Sequence, residues 1–347
     1  MSTVTTVRRL HLSVLDQSPV RRGGTAADAL RETVALAQRA EALGYERFWV
    51  AEHHNSAGFA GTTPEVLIGQ IAAATSTLRV GSGGVMLSHY SALKVAETFR
   101  VLNAFYPGRV DLGIGRAPGS DQRTMLALAH PREPTDVRQF PNQVLDLLRY
   151  LSDAVEEPHP FARVHTQPGP PPDRLPELWL LGSSDYSAEL AAALGLPFAF
   201  ADFFGNTRDI GPNVAARYRS GFQPSDFLTQ PRLTAAVQCI CAETEERAHY
   251  VGSSRNLSKL NAARGIRSPL APPDEATAYV PNVYEQEGIA DFSRGYIDGN
   301  PAQVRDRLLD IAQRYGTDDL TIVTNCYAFE DRVRSYELIA QEFQLAA

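Results

Sequence analysis

The chain has 347 residues, 44% hydrophobic and 21% charged, an ordinary globular composition with ample apolar surface for a core. Its formal net charge is −7 and no basic cluster stands out, which argues against a dedicated nucleic-acid binder. Nothing at the N-terminus reads as a secretory signal, and the most apolar stretch, residues 190–204, is interrupted by Gly195, Pro197 and Asp202 and too short to span a membrane. A cytoplasmic protein with neither a membrane nor a nucleic-acid partner is expected.

In chain order, LHLSVLD (10–16) reads as a strand. Residues 26–43 place Leu30, Val34, Ala37, Ala40 and Leu43 at helical intervals, and Gly44 stops that helix. A strand over 45–52, a helix over 64–76, a strand over 78–87 and a helix over 92–106 follow, the last ended by Pro107-Gly108. RVDLGIG (109–115) is the fourth strand. After a polar, proline-rich interval with a helix near 139–151, the pattern resumes with a strand over 177–182, a helix over 187–195 and a strand over 197–202. A strand over 233–242 leads into a helix from about Thr244. The chain ends with a helix over 301–316, a strand over 319–325 and a helix over 331–343. Cys239 and Cys241, two apart on a strand, share one face and read as packing rather than as a metal site.

Eight short apolar strands, most followed by an amphipathic helix, indicate a parallel sheet covered on its outside. Eight such units fit a (β/α)₈ TIM barrel, typically about 250 residues before insertions. The excess sits at about 117–176, after strand 4, and about 256–298, after strand 7. One domain over 1–347 is expected. Long insertions are uncommon unless they cover a site, and Phe161, Tyr279, Tyr284 and Phe292 are candidates for a lid as much as for ordinary loop packing.

RVDLGIGRAPGSD (109–121) raises the question of a dinucleotide loop. Gly113 and Gly115 fit G-x-G-x-x-G, but Pro118 occupies the third position, fixes φ and removes an N–H where amides would cradle pyrophosphate. The strand is also the fourth, not the first, and no G-K-[ST] follows. Gly115-Arg116 instead marks the C-terminal mouth of a barrel strand, where the guanidinium suits a phosphate and the glycine leaves room for a ligand. AEHHN (51–55) brings His53 and His54 to another strand end. Their rings point to opposite sides of an extended chain, and the spacing does not suit a zinc site. GSGGV (81–85) ends the third strand with glycines. GSSDYS (182–187) opens a helix with Ser183, Ser184 and Ser187 around its N-terminus, where free N–H groups favour an anion; simple capping would account for one serine. A phosphate cup beside a glycine-lined mouth points to a flat phosphorylated cofactor, FMN foremost.

AEHHN, GSGGVML, YPGRVDLGIGRAPGSDQRT and LWLLGSSDYSAELAAALGLPFAFA, in this order, resemble the bacterial luciferase-like flavin-dependent monooxygenases, and most of all their uncharacterised single-chain members. The resemblance covers nearly the whole chain and implies a (β/α)₈ barrel that takes reduced FMN from a separate flavin reductase, oxidises a small organic substrate with molecular oxygen, and pairs as a homodimer. It implies that Arg116, with Ser184 and Ser187, holds the FMN phosphate. Gly83-Gly84 matches a segment forming a non-prolyl cis peptide under the flavin ring. His53 and His54 match a histidine pair at the reactive face, with His54 expected in the acid–base role. Where luciferases carry a cysteine before the phosphate arginine, this chain has Gly115, which leaves more space over the flavin and puts light emission in doubt. Ser88 and Ala92 stand where relatives often carry prolines. A deazaflavin-dependent hydride-transfer enzyme and a non-catalytic flavin-binding protein are the alternatives on the same fold.

Overall fold

The computed structural model describes residues 10–116, 121–204, 207 and 209–346. Among these residues nine strands form: β1 (His11–Asp16), β2 (Arg47–Val50), β3 (Arg79–Met86), β4 (Val110–Gly115), β5 (Glu177–Gly182), β6 (Phe198–Ala201), β7 (Leu233–Cys241), β8 (Ile297–Gly299) and β9 (Asp319–Val323). All pair in parallel. β1 to β7 run in order around a ring that β9 closes by pairing with both β7 and β1. This is the eight-stranded (β/α)₈ barrel expected from the pattern, and its eight strands are the eight read from the sequence. The ninth, β8, extends the far end of β7 outside the ring, with Ile297 opposite Cys239.

Alternation along each strand divides the core in two. Val14, Phe48, Val80, Leu112, Leu180 and Phe198 face the surrounding helices in one large cluster. Leu15, Trp49, Ala51, Trp179, Ala199 and Val323 fill the lumen, where the two tryptophans meet edge to face at 5.3 Å. Cys239 and Cys241 belong to the outer cluster, as packing residues would.

Below the tryptophans, the N-terminal end of the barrel is closed by charge. Asp111, fully buried on β4, accepts a hydrogen bond from Trp49 Nε1 (3.0 Å) and from Arg79 Nε (3.0 Å), and faces Arg47 Nε at 3.2 Å. Glu177 joins Arg79 (3.0 Å) to Arg232 (2.5 Å), and Arg47 and Arg232 lie over the Trp179 ring. Residues opposite one another on adjacent strands build this plug: Asp111 pairs in register with Glu177, and Arg47 with Arg79.

Several elements depart from the sequence reading. A helix at Gly211–Gly221 was not expected: Gly211, Pro212 and Gly221 are poor helix formers, and its buried face shows only Gly211, Val214, Ala215 and Tyr218. Yet proline is well placed in a first helical turn, where its missing N–H has no partner to lose. The helix after β7 runs from Glu245 to Ala263, through the expected start of the second insertion, and helices Pro273–Ala278 and Val283–Ser293 follow within that insertion. The first insertion holds helices Gln122–Ala129 and Phe140–Ser152. The two insertions meet at the C-terminal end of the barrel, where Arg267 Nη1 donates to Asp121 Oδ2 (3.0 Å) and to the carbonyl of Asn55 (3.1 Å). Among the described residues no helix is long and apolar enough to cross a membrane.

Candidate active site

A cavity of about 380 Å³ opens at the C-terminal mouth, a size that suits a small-molecule ligand. His53, Gly83, Gly84, Gly115, Arg116, Ser183, Ser184 and Ser187 all line it. Strand ends β2 to β5, remote in sequence, thus contribute the expected residues to one space.

Its floor is β3. The Gly83–Gly84 peptide is cis, and pairing with β4 skips from Gly83 to Val85 at this point. The barrel wall crowds both glycines, and at Gly84 the crowding is by backbone, which cannot give way. A Cβ on Gly83 would meet Leu15 Cδ1 at 2.6 Å, and one on Gly84 would meet the Gly113 carbonyl oxygen at 2.7 Å and run into Leu181. Gly115 is different, since a Cβ there would touch only Met86, at 3.4 Å, so that glycine leaves room in the cavity itself.

One end of the cavity is suited to an anion. Arg116 ends β4 with its guanidinium 4.3 Å from the centre of the Tyr186 ring. Ser184 occupies the N-cap position of the helix Asp185–Ala193, yet its hydroxyl makes no capping hydrogen bond, so capping does not account for it. Arg116, Ser183, Ser184 and Ser187 thus line one cavity beside the N-terminus of that helix, residue types suited to a phosphate.

The two histidines part company. His53 lines the cavity, stacked on Phe59 with ring centres 4.7 Å apart, and its Nδ1 is buried without a hydrogen-bond partner. His54 turns away from the wall; its Nε2 lies 2.7 Å from Glu52 Oε1 and its ring stands edge-on to His89. Burial pushes His53 down to about 4, so its imidazole is neutral at pH 7, with one nitrogen able to accept a hydrogen bond. This carries a stability consequence. The folded value lies below the ordinary 6.5, so as pH falls from about 6.5 to about 4 the unfolded chain takes up the proton first and stability declines. His53→Gln is expected to flatten this limb in a series of thermal melts; equal slopes for variant and parent would refute the assignment.

Sequence reasoning passed over several residues of the wall. Glu52, in the same AEHHN run, has a fully buried side chain that accepts from Met86 N (2.9 Å) and Tyr90 Oη (2.7 Å), besides its contact with His54. It ties β2 to the turn that follows the cis peptide. An acid between an apolar strand and two histidines was the available signal. Phe203 and Phe204, in a run read only as apolar, also line the cavity, whereas Phe161, Tyr279, Tyr284 and Phe292 do not. Phe161 and Tyr284 are exposed, and Tyr279 donates to Glu285. Among the described residues no cluster of three or more His, Cys, Asp or Glu is arranged to hold a metal.

Fold and site together define a barrel enzyme with its chemistry at the C-terminal mouth. Residues 9–319 match the family model described as luciferase-like monooxygenase. A luciferase-like monooxygenase of Escherichia coli is 39% identical over 333 residues, covering 96% of this chain and 97% of that protein. The N-acetyl-S-alkylcysteine monooxygenase of Bacillus subtilis is 39% identical over 332 residues, covering 95% and 97%. Among solved structures, apo-MsnO8 superposes with a TM-score of 0.88 at 40% identity, covering 97% of this chain and 99% of that one. The chain belongs to the luciferase-like monooxygenase family, and is a flavin-dependent enzyme of the oxygen-incorporating kind.

Proposed function

We propose that the protein is a two-component monooxygenase that binds reduced FMN, delivered by a separate flavin reductase, and oxidises a small organic substrate. The observation that carries this reading is the polarity of the mouth cavity: Arg116 and three serines at one end, His53 with an unpartnered buried nitrogen on the wall, and a glycine floor between strands. These residues fit a flat ring system with a phosphate tail. Arg116, Ser184 and Ser187 would hold the phosphate, Gly83 and Gly84 would form the floor beneath the ring, and Gly115 would leave it space. Bound there, reduced FMN supplies the electrons that activate oxygen. Trp49, Leu181, Phe203 and Phe204 keep water from the reacting atoms, and His53 accepts or returns a proton at the wall, a role its position favours over that of His54.

We read residues 1–347 as one barrel domain with two insertions, acting in the cytoplasm. A homodimer is supported by the exposed Val66, Val101 and Phe105 on the helices Pro64–Ala74 and Ala92–Phe105. The relative that acts on N-acetyl-S-alkylcysteine puts small thioether acids first among substrates to screen.

The test is anaerobic titration with reduced FMN and, separately, reduced deazaflavin, followed by mixing with oxygenated buffer in a stopped-flow spectrometer. Tight FMN binding with an oxygen-dependent absorbance transient is expected. Preference for the deazaflavin, or binding without a transient, would overturn the proposal.

A further inference from the structure

A second, more open cavity of about 580 Å³ adjoins the first and shares Ser183 and Phe204 with it as a common wall. Thr207, Ile210, Lys259, Asp291 and Phe292 complete its lining. Lys259 comes from the helix Glu245–Ala263, Asp291 and Phe292 from the helix Val283–Ser293 of the second insertion. The ammonium of Lys259 lies 5.7 Å from the centre of the Phe204 ring, at the junction between the two cavities.

Among the described residues Lys259 has no ion-pair partner. Asp291 lines the same cavity but pairs with Arg294 at 3.3 Å. Burial holds Lys259 below the ordinary lysine range, and among the described residues no carboxylate offsets that. A half-buried ammonium without a counter-charge is costly to keep, and its position beside the reaction cavity gives it a use.

We infer that Lys259 is a specificity-determining residue that holds the carboxylate of a monoanionic substrate, whose apolar remainder passes Phe204 into the central cavity. The charge balance selects this class. One ammonium suits a single negative charge, and a dianion such as a phosphate ester would leave excess charge in a cavity that Asp291 also lines. Phe204 and Phe292 offer apolar contact to the segment next to the carboxylate, and Lys259, a point charge on a flexible stem, can follow carboxylates of differing reach. The inference rests on the reading of the central cavity as the flavin and reaction site.

The probes are 4-(phenylthio)butanoate and its methyl ester, titrated calorimetrically into the protein with and without FMN. The acid should bind the parent about ten- to a hundredfold more tightly than the ester, the range of a charge-assisted hydrogen bond. Lys259→Met should abolish that preference, Lys259→Arg should retain it, and FMN affinity should stay within about twofold in both, since the phosphate end of the cavity is built from other residues. Equal binding of acid and ester by the parent, absence of binding by either, or an unaltered preference in Lys259→Met overturns the inference. A loss of FMN affinity in Lys259→Met matching that of Arg116→Ala overturns it too, by moving Lys259 to the phosphate. Failure of the parent to bind FMN counts against the reading of the central cavity instead, and the acid–ester comparison on the FMN-free protein then decides the role of Lys259 by itself.

Discussion

Asp111→Ala is expected to lower the free energy of unfolding by about 3–5 kcal/mol, the cost of removing one partner from a buried charge network. Asp111 is wholly buried and Arg47, its neighbour, is 5% exposed, so water cannot replace the lost carboxylate. Among the described residues Arg47 keeps only more distant carboxylates, at 3.6 Å and beyond, and Trp49 Nε1 loses its one acceptor. Arg79 retains Glu177 and so loses less. Asp111→Asn preserves volume and a hydrogen bond to Trp49 while removing the charge, and should fall between parent and alanine variant. Urea denaturation reads both effects as a shift of midpoint at constant slope. A shift worth less than about 1 kcal/mol for Asp111→Ala, the size usual for an exposed pair, would mean that water already screens the barrel end.

Arg116→Ala should weaken reduced FMN by about a hundredfold, close to 3 kcal/mol, as the loss of a charge-assisted and bidentate contact would. Its guanidinium also lies over the Tyr186 ring, in the cavity that the serines of the next strand end line. Riboflavin, which has the ring and lacks the phosphate, separates the possible causes. Its affinity should be the same for parent and variant. Equal losses for FMN and riboflavin would place Arg116 against the ring or in the local fold, and the anion end of the cavity would need another owner.

Much of the barrel was legible because its strands are short apolar runs bounded by polar turns, and period-3.6 helices separate them. The helix Ala26–Ala42 shows this well. Thr25 and Asp28 form its capping box, and Gly44 follows at a φ of +84°, where a side chain would also press on the carbonyl of Leu345. The helix Gly211–Gly221 hid behind its own proline and glycines, and β8 is three residues long, too short for any period to register. The site was legible at strand ends, since a parallel barrel sends all of them to one face. Which neighbour of a pair faces inward was not: His53 and His54 are alternatives until the strand's register against β3 is fixed. The aromatics of the insertions were equally indeterminate, since a loop has no period to say which side is covered.

By itself, then, the order of residues determined the eight parallel strands and that the excess length follows the fourth and seventh of them, and it offered the glycines, the arginine and the serines as site candidates, because each depends on local periodicity or on residue chemistry at a strand end. The tertiary structure alone decided that Asp111, Arg47, Arg79 and Glu177 form a charged plug, that His53 and not His54 borders the cavity, and that Lys259 stands beside Phe204. Those are meetings of side chains tens or hundreds of residues apart. Ring closure of the barrel brings them together, and no local pattern encodes the distance between them.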